Sequence, residues 1–221
     1  MEAVVKIGGS LASKPRSLAQ LCSTLADAAS ENRSFIVVPG GGPFADTVRR
    51  LYGSIHLSEQ SAHRMAILAM DQYGLLLHDL CRDSILVWSR EDADDACRAG
   101  RLPILLPSKI FWCEESIPAS WDVTSDSLAA YIALWWGVRR LILVKDVDGV
   151  YTSDPATDAE ARLLSSIKLN ELSGLRCIDA HLPTVLSKFA GECLVVNGLQ
   201  PKRVLDAIDG LEVIGTMIVV G

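Results

Sequence analysis

A chain of 221 residues suits one large domain or two closely joined lobes. With 49% hydrophobic and 22% charged residues it has the balance of a globular protein, which excludes a disordered or fibrous chain. The formal net charge of −6 excludes the broad cationic footprint of a nucleic-acid binder, so an anionic substrate would need a local positive site.

The amino terminus runs Met-Glu-Ala-Val-Val-Lys straight into a β-branched stretch, without the basic start, apolar run and small-residue cleavage site of a secretory signal. Ala3 to Ile7 is expected as a strand stopped by Gly8-Gly9, followed by a helix over Ser17 to Ala29, where apolar residues recur at helical spacing. Phe35 to Val38 repeats the unit: a short strand halts at Pro39-Gly40-Gly41-Gly42, and Phe44, Val48 and Leu51 then fall on one helical face. His63 to Leu80 is a longer helix, followed by a strand at Ile85 to Trp88, a helix through Asp92 to Ala99 and a strand from Pro103 to Leu106.

Ser125 to Trp136 is helical, with Ser125 or Asp126 available as its cap, and Leu141 to Val144 is a buried strand leading to Asp146-Val147-Asp148-Gly149. Thr152 to Ala161 is polar and carries Asp154-Pro155, so it is expected as a loop. A helix at Leu182 to Phe189, a strand at Cys193 to Val196, a helix at Lys202 to Ile208 and a closing strand at Thr216 to Val220 complete the order. Alternating strands and helices predict an α/β fold, a three-layer αβα sandwich around a mainly parallel sheet. We expect a single domain over 1–221, with a softer boundary near residue 120 between two halves.

The most apolar stretch, Leu128 to Val138, is 11 residues long, short of the roughly 20 needed to span a bilayer. Six cysteines show neither a Cys-x-x-Cys pair nor zinc spacing and are expected as free thiols. These features predict a cytoplasmic protein with no membrane partner.

Lys6-Ile7-Gly8-Gly9-Ser10 puts a cation at the carboxyl end of the first strand, followed by glycines whose backbone N–H groups can approach an anion closely. Gly40-Gly41-Gly42 repeats the arrangement between a strand and a helix, where the helix N-terminus favours phosphate or carboxylate. A tight connection explains either turn alone, but two together point to anion binding. Neither has the spacing of a Walker A loop or of Gly-x-Gly-x-x-Gly, which argues against a P-loop enzyme and an ordinary dinucleotide fold. No Ser-His-Asp order or nucleophilic cysteine context occurs, so direct transfer is expected over covalent catalysis. The acidic loop 146–154 lacks the twelfth-position Glu of a calcium loop, leaving a solvated turn or a functional loop.

Val-Lys-Ile-Gly-Gly-Ser at 5–10, Pro-Gly-Gly-Gly-Pro-Phe-Ala-Asp at 39–46, Thr-Ser-Asp-Ser-Leu-Ala-Ala at 124–130 and Lys-Asp-Val-Asp-Gly-Val-Tyr-Thr-Ser-Asp-Pro at 145–155 resemble the amino-acid-kinase superfamily in order and spacing. The resemblance implies the carbamate-kinase-like fold, ATP as phosphoryl donor, Mg²⁺ bridging the phosphates, and a small-molecule acceptor. It further implies that Lys6 stabilises the phosphoryl group in flight, that Asp126 orients the catalytic lysines, and that Lys188 is the second lysine. Gly8, Gly9, Ser10, Lys145, Asp146, Asp148, Gly149, Tyr151 and Asp154 would form the nucleotide and phosphate side, and Gly40, Gly41, Gly42, Arg49, His63 and Arg64 the acceptor side; no direct metal ligand is assigned. The acceptor half would span about 1–120 and the nucleotide half 121–221.

One departure bears on Lys188: many relatives carry Gly-Gly-Met ahead of the second lysine, where this chain has Asp179-Ala180-His181-Leu182-Pro183. For Asp126 a plain helix N-cap is the alternative, and both roles can coexist. Residues 63–74, Cys177-Ile178-Asp179, Leu182-Pro183 and 196–199 resemble the methanofuran-pathway branch, the 5-(aminomethyl)-3-furanmethanol phosphate kinases. That branch implies a phosphomonoester acceptor converted to a diphosphate, with Trp112 and Trp121 as candidate walls for a planar ring. A kinase for acetylglutamate, isopentenyl phosphate or UMP, or a non-catalytic nucleotide or anion binder, is the alternative. His56, His78 and His181 are expected in structural roles. Self-association as a homo-oligomer is expected through a sheet edge or the apolar 63–80 helix.

Overall fold

The computed structural model describes residues 1–172 and 177–219, so Val220, the expected end of the last strand, lies outside the described residues. Strand β1, Ala3–Ile7, is wholly buried and sits near the centre of an eight-stranded sheet. The other strands are β2 Phe35–Pro39, β3 Ser84–Val87, β4 Leu102–Leu105, β5 Arg140–Lys145, β6 Ser166–Lys168, β7 Glu192–Asn197 and β8 Gly215–Val219. Their order is β3-β4-β2-β1-β5-β7-β8-β6, and every pairing is parallel except β7 with β8. The three-residue β6 was not anticipated, because only Ile167 of its side chains is buried and it carries little apolar signal.

Helices α1 Pro15–Ser30, α2 Gly42–Ser54, α3 Glu59–Leu80, α4 Arg90–Arg98, α5 Ser108–Phe111, α6 Ser125–Trp135, α7 Leu182–Leu186 and α8 Pro201–Ile208 cover the two faces. Among the described residues no helix is long and apolar enough to cross a membrane. One core gathers Leu18, Leu21 and Leu25 of α1 with Val204 and Ile208 of α8, and the other gathers α4, α5, α6 and α7. α3 serves both, with Tyr73 and Leu77 in the first and Ile67 and Met70 in the second.

Strand periodicity determines which side chains reach which core, since alternate residues point to opposite faces. In β1, Ala3, Val5 and Ile7 enter the α1 core while Val4 enters the α6 core. In β5, Ile142 and Val144 face α1 while Leu141 and Leu143 face α6. The same alternation assigns Lys6 and Lys145, the next even and odd positions, to the α6 face.

The start of α3 and the cap of α6 differ from the sequence expectation. α3 begins at Glu59 because the Ser58 hydroxyl accepts the Ser61 N–H at 3.2 Å, a cap ahead of the apolar periodicity. α6 takes Thr124 as its N-cap residue, yet neither Ser125, Asp126 nor Thr124 supplies the capping oxygen. That oxygen comes from Asp179, distant in sequence. The helix expected at 182–189 ends at Leu186.

β1 pairs with β2 on one side and β5 on the other, so the chain leaves the carboxyl ends of these strands in opposite directions and opens a crevice above them, the usual ligand position in such sheets.

Candidate active site

Both glycine turns arise at that crevice and touch each other. Gly8 N–H donates to Val144 O at 2.8 Å, and Gly40 N–H donates to Ile7 O at 2.9 Å, so the first strand's ladder continues into each turn. A side chain on Gly9 would collide with the backbone nitrogen of Gly42, and Gly42 itself has φ +55° over the buried ring of Tyr73. Only glycine satisfies both conditions. The Tyr73 hydroxyl donates to Gly8 O at 3.3 Å, holding the first turn from beneath.

Under these turns lies a buried ionic bridge. Asp126, on the first turn of α6, places Oδ1 2.7 Å from Lys6 Nζ and Oδ2 2.6 Å from Lys145 Nζ. The side chains are 4% exposed for Lys6 and Asp126 and 12% for Lys145. Burial pushes the Lys6 ammonium down to about 8, against the attraction of Asp126 and with the repulsion of Lys145. Burial acts downward on Lys145 as well, but Asp126 outweighs it and the group titrates above its ordinary value. Burial alone would raise Asp126, whereas Lys145 and Lys6 together hold it down at about 2. One carboxylate thus holds two ammonium groups side by side, a cationic pair of the kind that suits phosphate chemistry.

Two cavities flank the bridge. The first, about 260 Å³, is lined by Gly9, Gly41 and Gly42, by Arg49 and His63, and by Trp121, Thr124 and Ser125. Arg49 stands over Trp121 with its guanidinium carbon 4.9 Å from the ring centroid, and Tyr52 meets the same ring edge-on at 5.7 Å. Burial lowers the pKa of His63, favouring the neutral imidazole. The second cavity, about 550 Å³, is lined by Lys145, Asp146, Gly149, Tyr151, Asp154 and Cys177. Ser10 lines both, and its hydroxyl donates to Asp146 Oδ1 at 2.8 Å.

The structure thus brings together Lys6, Gly8, Gly9, Ser10, Gly40, Gly41, Gly42, Arg49, His63, Asp126, Lys145, Asp146, Gly149, Tyr151 and Asp154. Three candidates stand apart. Lys188 is exposed, two residues beyond α7, and lines neither cavity. Asp148 turns away to accept from Asn197 Nδ2 at 2.8 Å and Arg203 Nη1 at 2.5 Å. Arg64 stacks on exposed Trp112 at 5.3 Å, outside the first cavity.

Sequence reasoning placed Lys145 with the nucleotide and missed its bond to Asp126. The signal was available: Lys145 lies two residues past Leu143, which pairs with Lys6 across parallel strands, so both amines emerge on one face. Asp179, which accepts hydrogen bonds from the start of α6, carried no local signal. No group of three or more His, Cys, Asp or Glu residues among those described could hold a metal ion.

The model of the amino acid kinase family matches residues 1–184. The chain is 34% identical over 220 residues to the [5-(aminomethyl)furan-3-yl]methyl phosphate kinase of Methanocaldococcus jannaschii, covering 98% of this chain and 97% of that one. Its fold superposes on the uridylate kinase from Archaeoglobus fulgidus with a TM-score of 0.75 at 21% identity, over 99% of this chain and 100% of the other. An isopentenyl phosphate kinase superposes with a TM-score of 0.67 at 18% identity, over 99% and 100% of the two chains.

Proposed function

The chain belongs to the amino acid kinase family, and from that footing we propose that it transfers the γ-phosphoryl group of ATP to the phosphate of a small phosphomonoester. [5-(Aminomethyl)furan-3-yl]methyl phosphate is the acceptor this reading puts first, following the relative that shares 34% identity over nearly the whole chain. The supporting observation is that two cavities meet at Ser10 and that Lys145, which lines the second, shares the buried Asp126 carboxylate with Lys6.

In this reading the second cavity takes ATP with Mg²⁺ on its phosphates, and the first takes the acceptor. A phosphate oxygen of the acceptor attacks the γ-phosphorus in line, a P–O bond forms, and the bond to the β–γ bridging oxygen breaks to release ADP. Lys6 and Lys145 neutralise charge on the moving oxygens, and the backbone N–H groups of the two glycine turns orient them. Asp126 is the group that keeps the two lysines at a fixed separation. Arg49 and His63 border the acceptor, and Trp121 supplies an apolar wall. Residues 1–120 form the acceptor half and 121–221 the nucleotide half, with Trp121, Thr124 and Ser125 crossing into the first cavity.

The cytoplasm fits six cysteines without a disulfide. Self-association through the outer face of α3, where Leu68 and Leu75 are exposed, completes the reading and is checked by sedimentation.

The acceptor is tested by ³¹P NMR of ATP reactions with the furan phosphate, isopentenyl phosphate, UMP and acetylglutamate. A diphosphate formed from the furan phosphate is the expected product. Turnover of acetylglutamate with none of the furan phosphate would overturn the acceptor assignment. Nucleotide binding without transfer to any acceptor, unchanged by Lys6→Ala, would overturn catalysis itself.

A further inference from the structure

Asp179 lies three residues ahead of the start of α7, with only 9% of its surface exposed. Its Oδ2 accepts the Thr124 N–H at 3.0 Å, the Thr124 hydroxyl at 2.8 Å and the Ser127 N–H at 2.9 Å. Its Oδ1 accepts the Leu182 N–H at 2.8 Å and the Ser127 hydroxyl. A helix normally satisfies its first free N–H groups with its own N-cap side chain. Here the Thr124 hydroxyl does not cap, and a carboxylate 52 residues beyond Ser127 accepts instead. The segment is fastened again where His181 N–H donates to Asp122 O at 3.1 Å and the His181 ring meets the Tyr131 hydroxyl at 3.0 Å.

The residue immediately before Ser127 is Asp126. We propose that Asp179 is a positioning residue for phosphoryl transfer: it clamps the first turn of α6 so that the Asp126 carboxylate stays centred between Lys6 and Lys145. The proposal rests on the kinase reading above for its catalytic meaning, but the clamp itself is independent of the acceptor. A carboxylate holding five donors is a firmer anchor than a hydroxyl cap, because charge-assisted hydrogen bonds are roughly twice as strong as neutral ones.

Asp179 also carries a negative charge near the lysines, which favours the ammonium form of both. The charged groups facing Lys6 are Asp126 from α6, Lys145 from β5 and Asp179 itself. Cys177 and Cys193 face Lys145, and burial raises both thiols above their ordinary value. Losing the Asp179 charge therefore acts on the lysines without a competing titration nearby.

The test compares the full chain with Asp179→Asn and Ser127→Ala, using NMR titration of ¹³C-labelled lysine side chains together with ATP turnover. Asp179→Asn keeps the shape and removes the charge, so Lys6 should titrate lower by roughly half a pH unit or more. Ser127→Ala keeps the Asp179 charge but removes one of the donors that fasten it to α6, so Asp126 should be held less tightly and Lys6 should again titrate lower. On the acceptor found above, kcat of Asp179→Asn should fall roughly 10–100-fold, by analogy with groups that orient metal ligands, with KM for ATP changed less than about 3-fold.

Lower melting temperatures with Lys6 titration and kcat unchanged in both variants would overturn the proposal and leave Asp179 a structural cap. If no acceptor is turned over, the kinase reading fails while the Lys6 shift in Ser127→Ala, which retains the Asp179 charge, still decides the clamp. If Asp179→Asn does not fold, the downward shift in Ser127→Ala supports the proposal and its absence overturns it.

Discussion

At the rim of the first cavity Arg49 and Asp46 form an ion pair of 2.9 Å with 56% and 70% of their side chains exposed, whereas beneath it Asp126 meets Lys6 at 2.7 Å with both at 4%. The two pairs have similar lengths and opposite physical weight. At the rim, water screens the attraction and the side chains remain free to exchange partners, so an exposed pair adds little stability. At the floor, charges out of water interact strongly and neither can be removed without stranding the others. The mobile pair suits capture of an incoming anion, and the fixed one suits a transition state that requires charge already in place.

Removing the central carboxylate tests this contrast most severely. Asp126→Ala leaves two ammonium groups facing each other in a buried site, and we expect a loss of roughly 3–5 kcal/mol, on the order of 10 °C in melting temperature, with turnover at background. Calorimetry and an ADP-release assay measure the two effects. A variant that melts as the unaltered chain does would show that the floor is wetter than it appears in the structure.

Removing one lysine at a time asks whether both belong to the transfer. Lys6→Met and Lys145→Met should each lower kcat roughly 10²–10³-fold, by analogy with the loss of an oxyanion donor. Lys188→Ala should change it less than about 2-fold, because surface substitutions away from a site are usually neutral. Equal activity of Lys145→Met and the unaltered chain would return Lys145 to a purely nucleotide-binding role.

Acid separates floor from rim without a mutation. Asp126 is held at about 2 against an ordinary 3.8, so its contribution is fully present above about pH 4 and lost as pH falls through about 2. The difference amounts to about 2 kcal/mol. Urea titrations between pH 5 and 2 should show it in the unaltered chain and not in Asp126→Asn, provided that variant folds.

At the alkaline end the sign reverses in origin. Lys6 is lowered to about 8 by burial, so its cationic form is lost on the free enzyme as pH rises through that value. The kcat/KM profile for ATP should be level below about pH 8 and decline above it. A level profile to pH 10 would mean that Lys6 keeps its proton through stronger pairing with Asp126. At the rim the smallest effect is expected: Asp46→Asn should shift the melting temperature by less than about 2 °C.

Legibility followed how locally each feature is encoded. The two glycine turns were readable because a strand that stops at successive glycines before an amphipathic helix is written within a dozen residues. Lys6 was readable with them, and Asp126 through its motif. Arg49 and His63, expected on the acceptor side, both line the first cavity, but Arg64, next to His63, points to Trp112 because adjacent residues on a helix diverge by about 100°. Asp148 was expected with the loop around it, yet Asn197 and Arg203 hold it from β7 and α8. Lys188 was expected on a longer helix, and α7 ends before reaching it.

The sequence by itself determined the alternation of strands and helices, the mainly parallel sheet, the positions of both glycine turns and the kinase class. These depend on periodicity and on residues whose backbone freedom is local. Only the tertiary structure decided that Lys145 shares Asp126 with Lys6, that Ser10 joins the two cavities, and that Asp179 starts a helix more than fifty residues before it. Each of those depends on which strands lie side by side and which faces of them a helix covers, and short-range pattern carries no record of such contacts.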